Sequence, residues 1–167
     1  MIIGNGGGGK TTLALHVAER TGLPLTEVDT IQFQPGWQRT PEQDVQTALH
    51  AVHESDRWLI DGFGPWDSIE ERASLADTII FVDHPIWIHF WWACERQMAA
   101  AVGQQRVGGP PDCDLREVTK LMFQTLWRVH EEFRPKLVEL VEKHRATKHI
   151  VWIRSPEELE SFSASFV

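Results

Sequence analysis

Tyrosine is absent from this chain of 167 residues, and only two cysteines occur, Cys94 and Cys113. Two cysteines without a CxxC pair exclude a disulfide scaffold and point to a reducing compartment, with the cytoplasm as the expected location. Basic charge is also short: Lys and Arg number 16 against 24 Asp and Glu, a formal net charge of −8. Phosphate backbones are held by basic fields, so this balance argues against direct nucleic-acid binding. Long hydrophobic runs are missing as well. The apolar stretches around Thr78 to Val82 and Ile86 to Ala93 are broken by Asp83, His84 and His89 and fall short of a bilayer span. Internal repeats, low-complexity tracts and composition shifts are likewise lacking, which leaves one domain over residues 1–167. The aromatic content falls on eight tryptophans and eight phenylalanines. Since aromatics have the largest area to bury, most of the tryptophans are expected in the core.

Apolar runs rich in β-branched residues recur at Met1 to Ile3, Leu25 to Val28, Arg57 to Ile60, Thr78 to Val82 and His149 to Ile153. Helix-length segments separate them, so the expected fold class is α/β with a five-stranded parallel sheet flanked by helices. Lys10 to Thr21 reads as the first helix, stopped by Gly22. Thr40-Pro41 opens a second helix that runs toward Ser55, Pro85 a third through Cys94, and Ser155-Pro156 a short last one. Leu115 to His144 is helical in spacing, with an interruption expected at Pro135. Between them Ala101 to Asp114 carries three glycines and two prolines without periodicity and is read as a loop, the centre of a short lid spanning about residues 96–114.

Five of the six residues from Gly4 to Gly9 are glycine, and Lys10, Thr11 and Thr12 follow. Gly4-Asn5-Gly6-Gly7-Gly8-Gly9-Lys10-Thr11 fits G-x-x-x-x-G-K-[ST] between a strand and a helix, the context in which that pattern cradles phosphate. Glycines let backbone N–H groups converge on an anion, the helix start adds positive potential, and Lys10 adds a full charge. Residues 4–12 are therefore the expected ATP-binding segment, and the Thr11 hydroxyl is the expected Mg²⁺ ligand. The pattern itself requires no glycine at positions 6, 7 and 8, which are read as added backbone freedom.

Three carboxylates close apolar strands: Asp29, Asp61 and Asp83. Ligands of open α/β sheets gather at such strand ends. Asp61, followed by Gly62, is preferred over Asp83 as the second Mg²⁺ partner. Asp29 is read as an acceptor or base toward a substrate hydroxyl, with a solvated or helix-capping carboxylate as the alternative. Cations are needed against transferred phosphoryl oxygens. Arg96, Arg106, Arg128 and Arg134 lie in or near the lid, and Arg96 and Arg106 are the preferred catalytic pair. Trp37 and Trp66 are placed in loops beside the acceptor, with core packing at the sheet end as the alternative, while the Trp87 to Trp92 segment is read as core, with a homodimer contact as the alternative. His84, His89, His130 and His144 show no metal-cage spacing.

The strings GNGGGGKTT, LPLTEVD, PGW, RWLIDG, ADTIIFVDHP, FRPKLVELV and IRSPEEL, in this order, resemble the adenylate-kinase-like P-loop proteins of the DNA-topology-modulation (FlaR-type) family. The resemblance implies a nucleoside-monophosphate-kinase-like P-loop NTPase fold with a mobile lid, transferring the γ-phosphoryl group of Mg-ATP to a small-molecule acceptor. Asp61-Gly62-Phe63 resembles the DGFPR motif of adenylate kinases, but Gly64-Pro65-Trp66 follows here and the motif's arginine is missing. That departure, with Asp29, weights the acceptor toward a hydroxyl compound rather than a nucleoside monophosphate. The alternative is a regulatory NTPase or nucleotide-binding protein linked to DNA topology.

Overall fold

A computed structural model describes residues 1–104 and 107–166. The chain begins with β1 (Ile2–Gly4), turns through the glycine loop and enters α1 (Lys10–Thr21). Gly22 ends α1 in a left-handed conformation, its N–H bonded to the Ala18 carbonyl at 2.9 Å, as its place after the last apolar residue predicts. Next come β2 (Leu25–Glu27), a five-residue α2 (Val28–Gln32), and a small hairpin of β3 (Phe33–Gln34) and β4 (Gln38–Arg39). Then follow α3 (Glu42–His53), β5 (Leu59–Asp61), α4 (Trp66–Leu75), β6 (Thr78–Val82) and α5 (Ile86–Ala101). After a loop come α6 (Thr119–Arg128), a π-helical turn (Val129–Phe133), α7 (Arg134–His144), β7 (His149–Ile153) and α8 (Pro156–Ala164).

The five main strands form one parallel sheet in the order β2-β5-β1-β6-β7. β1 is central: the chain first adds β5 and β2 on one side and then crosses to β6 and β7 on the other. The carboxyl end of β1 is thus the point where the winding reverses, where open α/β sheets form their ligand crevice.

Alternation along the strands supplies both faces with apolar side chains. Ile3, Ile79 and Phe81 join Ile69, Ala73, Leu137 and Val141 on the face covered by α4 and α7. Ile2, Ile80, Val82 and Ile153 join Leu13, Ala14 and Val17 on the α1 face. Val28, Val45, Leu49 and Ile60 form a third cluster beneath α3.

Several local expectations change. β2 stops at Glu27, so Asp29 sits in α2 rather than at a strand end. Val28 is fully buried, and a Cβ on Gly62 would lie 2.9 Å from its own Cβ; this packing against the β5 exit turns the chain out of the sheet. Helix α5 continues to Ala101, so the first part of the 96–114 lid is helix and the loop begins after it. The interruption near Pro135 is the π turn just before it, and α7 resumes with Pro135 in its first turn. Trp66 starts α4 rather than lying in a loop.

The tryptophans depart furthest from expectation. Trp37, Trp58, Trp66, Trp92 and Trp152 are half-buried, and Trp87, Trp91 and Trp127 are 64%, 61% and 53% exposed. Trp87 and Trp91, with Cys94 and Met98, line the outward face of α5, so the Trp87 to Trp92 segment is core only in part. Among the described residues, no helix is long and apolar enough to cross a membrane.

Candidate functional site

At the carboxyl ends of β1 and β5, the glycine loop, the start of α1 and Asp61 meet. Helix α1 begins at Lys10 with no side-chain cap and no acidic residue in its first turn. Its N-terminal positive potential is therefore left without a compensating anion from its own first turn. Thr11 Oγ1 donates to Asp61 Oδ2 at 2.7 Å. Lys10 reaches back over the loop, and its Nζ donates to the Asn5 carbonyl at 2.7 Å.

Both charged groups are buried. Burial pushes the Lys10 pKa down, against the pull of Asp61 and Asp29, and Arg96 pushes it further down. Burial likewise raises the Asp61 carboxyl, opposed by Lys10 and the Thr11 hydroxyl and reinforced by Asp29 and Glu27. Among the described residues, Asp61 Oδ1 has no hydrogen-bond partner. A buried ammonium and a buried carboxylate are each pressed toward neutrality, so each gains from a counter-charge brought from outside.

The glycines are there for space as much as for freedom. A Cβ on Gly6 would lie 2.8 Å from Leu126 Cδ2, one on Gly7 2.7 Å from the His89 carbonyl, and one on Gly8 2.8 Å from His89 Cε1. Positions 6, 7 and 8 are thus closed by α5 and α6 rather than merely loosened, contrary to the sequence expectation. His89 fixes the loop from behind: its Nδ1–H donates to the Gly6 carbonyl at 2.8 Å, since a carbonyl accepts only from the protonated nitrogen. Burial lowers the His89 pKa to about 4, so the ring is neutral at pH 7. Asn5 serves the same end. Its Nδ2 donates to the Leu126 carbonyl at 2.8 Å and its Oδ1 accepts from the Gly6 N–H at 2.8 Å, so its side chain braces the loop internally. Thr12 is exposed on α1.

Asp83, the rival to Asp61, is engaged elsewhere. Arg134 grips it through Nε and Nη2 at 2.6 and 2.9 Å, and Trp152 Nε1 adds a bond of 3.1 Å. Arg128 pairs with Glu132 on the surface. Arg96 reaches from α5 to Met122 Sδ at 3.2 Å, and its charge is felt at Lys10. Arg106 lies outside the described residues. Asp29 is exposed in α2, yet its charge acts on both Lys10 and Asp61.

Two residues not singled out in the sequence complete the surroundings. Glu27 is paired in register with Asp61 across β2 and β5, and its Oε2 accepts from the Gly109 N–H at 2.6 Å. The far end of the 102–114 loop is thereby held over Thr11 and Glu27. The same loop is tied to the hairpin: Gly36 N–H donates to the Asp112 carbonyl at 3.0 Å and Trp37 Nε1 to the Asp114 carbonyl at 2.7 Å. Arg72 is the second. It is fully buried in α4, donating from Nε to the Ser68 carbonyl at 3.1 Å, from Nη1 to the Gly62 carbonyl at 3.1 Å and from Nη2 to the Phe63 carbonyl. Burial lowers its pKa to about 10, which leaves it charged at neutral pH, and it fixes the backbone immediately after Asp61.

Comparison with known proteins gives no match, either among protein-family models or among curated proteins. The functional reading therefore rests on the arrangement of these side chains.

Proposed function

We propose that this chain is an ATP-dependent P-loop kinase of nucleoside-monophosphate-kinase-like architecture that phosphorylates a small acceptor. The observation that carries this reading is the Thr11–Asp61 hydrogen bond beside buried Lys10, at the uncapped start of α1. The donor set fits Mg-ATP. The first turn of α1 holds no acidic residue, and Asp61 Oδ1 has no hydrogen-bond partner among the described residues. Thr11 and Asp61 are the residues that would hold Mg²⁺, and Gly4 to Thr12 the segment that would hold the phosphates. The bound metal supplies charge neutralisation at the phosphate oxygens.

In this reading Lys10 exchanges its bond to the Asn5 carbonyl for phosphate oxygens, which restores the charge that burial opposes. Arg96 adds a second cation on the same side. Arg72 and His89 position Asp61 and the loop without touching substrate, and the Asn5 side chain braces the phosphate-holding segment from within it. The segment 107–114, held down through Glu27 and the hairpin, excludes water, which limits hydrolysis without transfer.

The acceptor side is acidic. Glu27, Asp29 and Asp61 act together on this end of the sheet, and the guanidinium of Arg72 is committed to three carbonyls. A phosphate acceptor is repelled by such a surface, whereas a hydroxyl gains an acceptor for its proton in Asp29. We therefore favour a hydroxyl compound over a nucleoside monophosphate.

Equilibrium titration with ATP, with and without Mg²⁺, tests the nucleotide site. The expected result is Mg²⁺-dependent binding that Lys10→Ala weakens at least about tenfold, since a charged hydrogen bond contributes about 1.5 to 3 kcal/mol. Equal binding by wild type and Lys10→Ala overturns the reading.

A further inference from the structure

Where α3 packs on α4, a second cluster of ligating side chains converges. His50 and His53 lie one turn apart on α3, and Glu71 faces them from α4. His50 Nδ1 is 2.8 Å from Glu71 Oε1, and His53 Nδ1 is 3.1 Å from Glu71 Oε2. One ligand atom from each of the three lies within 4.8 Å of the others. Atoms bound to one zinc ion at 2.0 to 2.1 Å in tetrahedral array stand roughly 3.3 Å apart, so only small side-chain rotations are needed.

Two further observations set this cluster apart from an ordinary surface ion pair. The His53 side chain is only 2% exposed, yet neither ring nitrogen makes a hydrogen bond among the described residues: its approach to Glu71 is close but lacks hydrogen-bond direction. The cluster also opens on a hollow of about 350 Å³ lined by Gln46, Thr47, His50, Asp67, Ser68 and Glu71. The Ser68 hydroxyl, buried at its edge, likewise has no hydrogen-bond partner among the described residues.

We propose that His50, His53 and Glu71 bind one divalent transition-metal ion, with zinc as the best match. Two imidazoles and one carboxylate are the donor set that zinc accepts with a fourth position left for water, and that position faces the hollow. The ion gives the buried His53 nitrogen its missing partner and clips α3 to α4. This site is separate from the phosphate site proposed above and stands whether or not that reading holds.

Titration of the full chain with Co²⁺ alone, followed by its visible absorption, and with Zn²⁺ in competition provides the test. The expected result is one equivalent of Co²⁺ with the intense bands of a low-coordinate nitrogen and oxygen site, displaced by Zn²⁺. Zn²⁺ should also raise the melting temperature of the wild type. Glu71→Gln and His50→Ala change groups at the solvent-facing side of the cluster, so both variants are expected to fold. Each should weaken binding at least about tenfold, the size of effect that even outer-shell ligand partners have. Binding that survives both substitutions, or a wild type that takes up no Co²⁺, overturns the proposal.

Discussion

Thr11 Oγ1 donates a 2.7 Å hydrogen bond to Asp61 Oδ2, tying the first turn of α1 to the end of β5 across 50 residues of sequence. The bond brings a hydroxyl and a carboxylate together beside a buried lysine, and the proposed chemistry depends on that meeting.

Replacing Asp61 tests the contact structurally. Asp61→Ala removes the acceptor of the Thr11 hydroxyl and the counter-charge of buried Lys10, so it should cost about 2 to 3 kcal/mol in urea denaturation. Asp61→Asn keeps the shape and an acceptor oxygen and should cost less. Both should abolish the Mg²⁺ dependence of nucleotide binding, which a purely structural Asp61 would leave unchanged.

Gly7 and Gly22 separate backbone conformation from packing. Both have left-handed φ values, 64° and 65°, but only Gly7 has a neighbour in the way, the His89 carbonyl at 2.7 Å from an added Cβ. Gly22→Ala should cost about 1 kcal/mol for the conformation alone. Gly7→Ala should cost about 3 kcal/mol, because backbone on α5 must shift as well. Equal losses in thermal or urea denaturation would contradict the packing of the loop on α5.

This contrast marks how far the sequence could be read. The order of the five main strands, the α1 boundaries and the placing of Lys10, Thr11 and Asp61 at neighbouring strand and helix ends follow from β-branched runs, Gly22 and motif spacing, whereas α2, the β3–β4 hairpin and α4 carry no such signal. Asp29 was misplaced because Leu25 to Val28 looks like strand throughout; what ends β2 at Glu27 is the packing of Val28 under Gly62, a contact between distant segments. Arg72 directly follows Glu70 and Glu71, so the local sequence does not set it apart from surface charge. Its spacing from Ile69, Ala73 and Ala76 places it on the buried face of α4, a signal that recognising the helix would have exposed. Size alone places the tryptophans in the core, but Ile86 to Ala93 is apolar on most sides and gives no cue to which face turns outward.

Arg72 offers a test of that buried face. Its guanidinium serves three carbonyls at once, so Arg72→Lys cannot replace it, the ammonium being unable to span the same fork. Arg72→Lys and Arg72→Met should each lose about 2 to 4 kcal/mol in urea denaturation, with Lys no better than Met. Full retention of stability in the lysine variant would contradict the role assigned to the fork.

Acid should loosen the glycine loop through His89. In the folded chain its pKa is lowered from 6.5 to about 4 by burial, with Lys10 and His84 as the facing charged and titratable groups adding to the shift. The unfolded chain binds a proton below pH 6.5 that the folded chain refuses until about pH 4, so stability is intact above this window and falls as the pH drops through it. At 1.36 kcal/mol per pH unit, the loss amounts to roughly 3 kcal/mol. His84, also lowered by burial, acts in the same direction. Urea midpoints measured between pH 7.5 and about 4 should show this decline, and His89→Gln should flatten it; an unchanged slope would contradict it.

Acceptor-dependent ADP release measures the proposed phosphoryl transfer most directly. Wild-type protein with Mg-ATP is assayed against nucleosides, small alcohols and nucleoside monophosphates, with Lys10→Ala alongside. One hydroxyl acceptor is expected to raise ADP release well above the rate with water, and Lys10→Ala to remove the increase. ADP release that no acceptor stimulates, or that Lys10→Ala leaves intact, would contradict it.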